Sequence, residues 1–200
     1  MLIVLTGIDG SGKTTAAHAL AEFARAEGRV AIVFSNHAGR RRISLIGAKL
    51  GFLLPPRLSD AVETVIRVGN VLVSHVRTCW FFRMHKAGLV VMDRHLHCQL
   101  ALREMRGLPA GWLLPRFLEL LPQPDVVVHL DVEPGVAHQR ILARGTDEES
   151  VADLKALREA YRLLPHYAGF LKVDANGSPD EVLRKLTDAI DARGRLSFSV

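Results

Sequence analysis

The chain has 200 residues, 48% of them hydrophobic and 24% charged, and a formal net charge of +5. This describes one folded globular domain with enough length to bury a substantial core, and excludes a disordered or fibrous chain. The basic excess suits phosphate ligands, but no aromatics are interleaved with the lysines and arginines as a base-stacking platform requires, so nucleic acid is not an expected partner.

Leu2 to Leu5 reads as a short buried strand, and it runs into Gly7-Ile8-Asp9-Gly10-Ser11-Gly12-Lys13-Thr14, which fits G-x-x-x-x-G-K-[ST]. Ala16, Ala17, Leu20, Phe23 and Ala24 then follow at helical spacing, so the motif sits on a strand–loop–helix unit. Such a P-loop turns backbone N–H groups inward around a polyphosphate, and the helix N-terminus adds partial positive charge. Gly7, Asp9, Gly10, Ser11, Gly12, Lys13, Thr14 and Thr15 are therefore expected at a bound nucleoside triphosphate. Lys13 reaches its β- and γ-phosphates and the Thr14 hydroxyl is placed to ligate Mg²⁺.

A second strand is expected over Val30 to Phe34, followed by a loop with Asn36-His37-Ala38-Gly39 and Arg40-Arg41-Arg42. A short helix over Ile43 to Phe52 is stopped by Pro55-Pro56. Ser59 to Lys86 is free of proline, with apolar residues at Val62, Val65, Ile66, Leu72, Val73 and Val76. This predicts a long helix, capped by Ser59 or Asp60, with Gly69 as the point where it can kink. Its Trp80-Phe81-Phe82 cluster reads as core.

Leu89 to Met92 is a third strand that delivers Asp93-Arg94-His95 at its C-terminal end. Helices over Leu100 to Met105 and Leu113 to Leu121 come next, then a strand over Val126 to Leu130 that ends at Asp131. Pro134 opens a helix to Arg144 as a first-turn proline. Ser150 to Leu164 is helical, Phe170 to Val173 a fifth strand, and Pro179 to Ala192 a final helix. Alternation of this kind predicts an α/β fold of the P-loop type, three layers with a five-stranded parallel sheet covered by helices on both faces. The expected organisation is a single domain over 1–194 with a loose tail at 195–200. In such sheets ligands gather at the C-terminal strand ends, where the P-loop, Asp93 and Asp131 all lie.

Cys79 and Cys98 form no C-x-x-C pair, so neither a disulfide framework nor a zinc site is implied. His37, His97 and His138 show no ligand spacing. The richest apolar stretch, Val71 to Phe82, is broken by His75 and Arg77, so no membrane partner is expected. With the first strand and P-loop leaving no room for a signal peptide, the expected location is cytoplasmic.

The P-loop with Thr15, the Asp93-Arg94-His95 segment, Leu130-Asp131-Val132-Glu133-Pro134 through Arg140 and Arg144-Gly145, and Asp174 through Val182 together resemble the thymidylate kinase family. The resemblance is best over residues 1–34 and 88–190 and poor between about 35 and 87. It implies transfer of the γ-phosphoryl of ATP, with Mg²⁺, to a nucleoside monophosphate, dTMP by default, giving dTDP. By resemblance Asp9 meets the sugar 3′-hydroxyl of the acceptor, Asp93 acts with Thr14 near Mg²⁺, and Arg94 grips the acceptor phosphate. Arg140 and Arg144 are lid arginines that close over the triphosphate from a short lid at about 140–150, and Asn176 lies on the nucleotide side. Arg67 is the residue placed to read the acceptor base, and His95 orients Arg94 or packs. A homodimer paired through helices is likewise implied.

Three departures stand out. Some family members carry an arginine at the position of Gly10. The family's Arg-Glu-Pro-Gly-Gly-Thr after the second strand is Ser35-Asn36-His37-Ala38-Gly39 here, leaving Arg40, Arg41 or Arg42 as substitutes. No aromatic stands one turn before Arg67. Asp131 is expected to cap or support the next helix rather than bind metal. The alternatives are a P-loop kinase of another small molecule, with Asp9 or Asp93 as base, and an ATP-binding switch that hydrolyses slowly without an acceptor.

Overall fold

The computed structural model describes residues 1–36, 56–145 and 149–194, with residues 56–60 described by their backbone alone. The expected helix over Ile43 to Phe52, His37, Arg40 to Arg42, Asp147, Glu148 and the tail at 195–200 lie outside that description, while Ser59 and Asp60, expected as caps, fall inside a helix that already starts at Pro56.

Five strands form one parallel sheet: β1 (Leu2–Thr6), β2 (Ala31–Ser35), β3 (Leu89–Asp93), β4 (Val126–Asp131) and β5 (Leu171–Asp174), in the order β2-β3-β1-β4-β5. Among the described residues seven α-helices connect and flank them. These are α1 (Lys13–Ala26), α2 (Pro56–Met84), α3 (Leu96–Met105), α4 (Leu113–Leu120), α5 (Pro134–Arg144), α6 (Val151–Arg162) and α7 (Pro179–Asp191). The predicted α/β architecture is the observed one. Each expected strand appears within a residue of its predicted limits, because short β-branched runs between polar turns have few alternatives in a sheet buried on both sides. The long helix starts at Pro56, earlier than expected, and is continuous through Gly69. Its first residue is a proline, which gives up an N–H that has no partner in a first turn.

Both faces of the central strand are buried. Ile3 and Leu5 join the larger core with Ala17, Leu20 and Ala24 of α1, while Leu2 and Val4 join a smaller one with Val90, Met92 and Phe81 of α2. Here the expectation for Trp80-Phe81-Phe82 is corrected. Phe81 is buried, but Trp80 is 66% exposed. Adjacent helical side chains diverge by about 100°, so only one of them can face the sheet. Phe81 also explains Gly88, where a Cβ would stand 2.4 Å from the phenylalanine ring.

Helix ends follow their chemistry. Ser150 caps α6 by accepting from the Asp153 N–H, and Ser178 with Glu181 forms a complete capping box on α7. Such caps contribute about 1 kcal/mol each. Asp131 does not cap α5. It accepts from Arg158 of α6 at 2.6 and 3.2 Å, with Arg162 at 3.5 Å, so it ties the end of β4 to α6. Those two hydrogen bonds hold its carboxyl below the ordinary value against the opposing effect of burial. No helix among the described residues is long and apolar enough to cross a membrane.

Candidate active site

Parallel register sets the site. Leu5 of β1 and Ser35 of β2 both pair with Asp93 of β3, and Thr6 pairs with His129 of β4, so the C-terminal strand ends form one ledge. The chain turns to opposite sides of β1 at this ledge, which is where α/β sheets open a crevice. The loop from Gly7 to Gly12 fills it and leads into α1. Gly7 and Gly10 have φ of 140° and 78°, and a Cβ on Gly10 would lie 2.4 Å from the Ala137 carbonyl oxygen. The P-loop is therefore pressed against α5, and an arginine in place of Gly10 has no room.

Lys13 is buried beneath the loop. Its Nζ donates to the Gly7 oxygen at 3.0 Å, the Ile8 oxygen at 2.6 Å and Ser11 Oγ at 3.3 Å, and stands 3.8 Å from Asp9. Burial lowers its pKa from the ordinary lysine value, as does Arg94, while Asp9 and Asp93 oppose that shift. Asp9 also takes a charge-assisted hydrogen bond from Arg94 Nη2, so a carboxylate inside the phosphate loop sits between two cations.

Asp93 is fully buried at the end of β3. Thr14 Oγ1 donates to its Oδ2 at 2.6 Å, while its Oδ1 has no hydrogen-bond partner among the described residues. A buried carboxylate oxygen left in this way, beside a hydroxyl at a phosphate loop, is the hard-oxygen set that Mg²⁺ takes. These residues fit the ion.

On the other side of the loop a cleft is lined by Gly12, Thr15, Ala16, Arg140, Pro179 and Val182. Arg140 departs from its expected role as a catalytic lid arginine. Its Nη1 donates to the Ala175 oxygen at 2.9 Å and its Nη2 to the Asn176 and Gly177 oxygens at 3.1 and 2.8 Å. Three of its N–H groups are committed to carbonyls, so Arg140 is anchored in the cleft wall and brings its positive charge there. The Asn176 side chain is likewise engaged in the fold. Its Oδ1 accepts from Glu133 N at 2.8 Å and its Nδ2 donates to Asp174 at 2.6 Å, joining the ends of β4 and β5. Arg144 is exposed in the last turn of α5, ahead of the left-handed Gly145. The structure thus gathers Asp9, Lys13, Thr14, Asp93 and Arg94 at one point, puts Thr15 and Arg140 on the cleft, and leaves Arg144 outside.

Arg67, expected to read the acceptor base, is wholly buried. Its Nη2 donates to Glu63 Oε1 at 3.2 Å, and Glu63 Oε2 accepts from Arg106 at 3.2 and 3.3 Å. The position one turn before Arg67 is therefore occupied by a buried carboxylate.

Several contributors carry no sequence signal. Tyr161 is buried, and burial followed by the neighbouring Cys98 pushes its pKa far up. Three buried histidines form a row: His75 Nε2 lies 3.1 Å from His95 Nε2, and His95 Nδ1 3.3 Å from His97 Nδ1. His75 Nδ1 is buried without a partner among the described residues. A buried unsatisfied N–H costs more than a bare ring nitrogen, so the geometry assigns the His75 proton to Nε2, then the His95 proton to Nδ1. His95 thus packs and hydrogen-bonds within this row. Burial holds His97 at about 3 and His95 well below the ordinary histidine value, each further depressed by its neighbouring histidines.

The family model for thymidylate kinase matches residues 5–186. The chain is 29% identical over 185 residues to a probable thymidylate kinase 1 of Saccharolobus solfataricus, covering 92% of this chain and 93% of that protein. It is 30% identical over 194 residues to a probable thymidylate kinase of Thermococcus onnurineus, covering 91% and 93%. Against the thymidylate kinase of Xylella fastidiosa it is 30% identical over 169 residues, covering 82% and 75%. With that match along nearly its whole length and a P-loop site built as described, the chain belongs to the thymidylate kinase family and is an ATP-dependent phosphotransferase.

Proposed function

We propose that the chain transfers the γ-phosphoryl of ATP to a nucleoside monophosphate, converting dTMP to dTDP, and does so in the cytoplasm. The observation that carries this reading is the Asp9–Arg94 pair set into the phosphate loop beside Lys13. A loop built only to hold ATP gains nothing from a carboxylate next to its phosphates, whereas a sugar hydroxyl and an anionic phosphate on the acceptor match a carboxylate and a guanidinium. The P-loop amides and Lys13 hold the triphosphate, its base lies in the cleft beside Arg140, and Arg94 holds the acceptor phosphate. An acceptor phosphate oxygen forms the new bond to the γ-phosphorus as the β–γ bridging bond breaks and ADP leaves. The acceptor is already anionic, so no general base is needed. Mg²⁺, held by Thr14 and Asp93, supplies neutralisation of phosphate charge when bound. Lys13 exchanges neutral carbonyl partners for phosphate oxygens, a stronger charge-assisted bond.

A second reading, a different nucleotide acceptor, is favoured by Glu63, which puts charge where a base would otherwise meet an aromatic face. Phosphoryl transfer with Mg-ATP measured against dTMP, dUMP, dCMP, AMP and GMP separates the two. The expected result is the highest kcat/KM with dTMP and near silence without an acceptor. Preference for another monophosphate moves the assignment to that acceptor, and ATP hydrolysis alone would make the protein a switch.

The active unit is proposed to be a homodimer joined through α2. Val65, Val73, Val76, Trp80 and Met84 are between 52% and 71% exposed and recur along one side of this helix. Sedimentation at micromolar concentration is expected to give a dimer, and Val76→Asp a folded monomer. A monomeric wild type would remove this part of the proposal.

A further inference from the structure

Arg94 has φ of 74°, the only non-glycine residue with positive φ among the described ones. An arginine in the left-handed region carries a steric cost, and such residues persist only where their surroundings hold them. Here the holding groups are identifiable. Asn36, 1% exposed just beyond β2, donates from Nδ2 to the Arg94 carbonyl oxygen at 2.8 Å. Its Oδ1 accepts from Ser74 Oγ of α2 at 2.7 Å, and its backbone N–H donates to the Asp93 oxygen at 2.9 Å. On the other side the Arg94 N–H reaches the Leu5 oxygen at 3.2 Å. The strained peptide is thus clamped from β1 and from Asn36, and the Asn36 amide is itself fixed by α2.

We infer that Asn36 is a positioning residue for the phosphotransfer reaction, holding the Arg94 backbone in the left-handed conformation that aims its guanidinium at Asp9 and the acceptor phosphate. The inference rests on the proposed role of Arg94 as the acceptor-phosphate ligand. Asn36 suits the task because one planar amide both donates to the strained carbonyl and accepts from Ser74, with both its polar atoms paired and no charge added to a buried site. Without the donor, the peptide after Arg94 is free to relax toward the ordinary α or β regions, which swings the side chain away from Asp9.

The test is a double-mutant cycle with Mg-ATP and dTMP, using Asn36→Ala, Arg94→Ala and the pair, with thermal melting of each. Asn36→Ala is expected to raise the KM for dTMP and lower kcat/KM for it by about 10- to 100-fold, a 1 Å misplacement being of that order, with the KM for ATP within twofold of wild type. In the Arg94→Ala background it should add less than twofold, since its effect is transmitted through the arginine. Ser74→Ala, which leaves the Asn36–Arg94 bond in place, should show the same pattern more weakly and serves if Asn36→Ala does not fold. Equal losses from Asn36→Ala in both backgrounds, or a rise in the KM for ATP as large as that for dTMP, would overturn the inference and leave Asn36 a packing residue. If Arg94→Ala itself leaves the KM for dTMP unchanged, the assignment of Arg94 fails and the inference falls with it. A severe Arg94→Ala with a near-normal Asn36→Ala defeats the inference alone.

Discussion

Lys13→Ala is expected to lower kcat by about 10³-fold, on the scale seen when one preorganised cationic or oxyanion donor is removed from a phosphoryl or acyl transfer site. The ammonium is the charge that makes this loop tolerable to phosphates. It is surrounded by the Gly7 and Ile8 oxygens and Ser11 Oγ, with Asp9 3.8 Å away. Without it those lone pairs and the Asp9 carboxylate face the polyphosphate with one buried cation fewer to offset them. Lys13→Arg should not restore activity, because the site is closed around a compact ammonium and a planar guanidinium does not fit the same three acceptors. Steady-state kinetics beside a thermal melt checks both substitutions. A loss under tenfold in a folded Lys13→Ala variant would show that Lys13 is not where the transferring charge is stabilised.

The second large effect is on stability in mild acid. Burial holds His97 at about 3 and, aided by Lys13 and opposed by Asp131, His129 at about 4, while an unfolded histidine titrates near 6.5. Above that value both states are neutral and nothing is lost. Below it the unfolded chain takes up protons that the native protein refuses, so stability falls with falling pH down to the native values. By pH 5 each of the two costs about 2 kcal/mol, together a large part of the 5–15 kcal/mol typical of a whole domain. His95, also depressed, acts in the same direction. Asp131 and Asp174, whose values are lowered, weaken the fold only in a separate window below about pH 4. Urea unfolding at pH 7, 6 and 5 should show the midpoint dropping steeply, and His97→Gln should remove about one proton from the slope. Stability independent of pH between 7 and 5 would contradict the buried neutral histidines.

The location of this acid sensitivity matters for activity as well. The histidine row joins α2 to the segment after Arg94, and Ser74 and Asn36 join α2 to the Arg94 carbonyl one residue earlier. Two consecutive residues of the long helix therefore fasten two consecutive residues of the segment after β3. A proton taken up in the row loosens the same junction that holds the arginine.

Much of this protein is legible in its sequence wherever the physics is local. The P-loop needs a buried strand before it, glycines within it and an amphipathic helix after it, all within 26 residues of the start, so Lys13 and Thr14 are found without any tertiary information. Asp93 and Arg94 are legible for a related reason, since a charged pair ending an apolar strand marks the ligand side of a parallel sheet. The errors fall where a side chain's partner is remote in the chain. Arg140 looks like a phosphate arginine until the carbonyls of residues 175–177, some 35 positions away, are folded against it. Trp80 and Phe81 are alike in the sequence, and the seating of α2 on the sheet buries one and exposes the other. Asn36 reads only as a loop residue in a segment unlike the family, 58 positions from the strained arginine it holds and 38 from the serine that holds it. Local pattern determined the elements and the phosphate half of the site. Hydrogen-bond partners brought together by the sheet order decided that Arg140 is tied to carbonyls and that Arg94 is held by Asn36, and no periodicity records such contacts because each depends on the register of several distant segments at once.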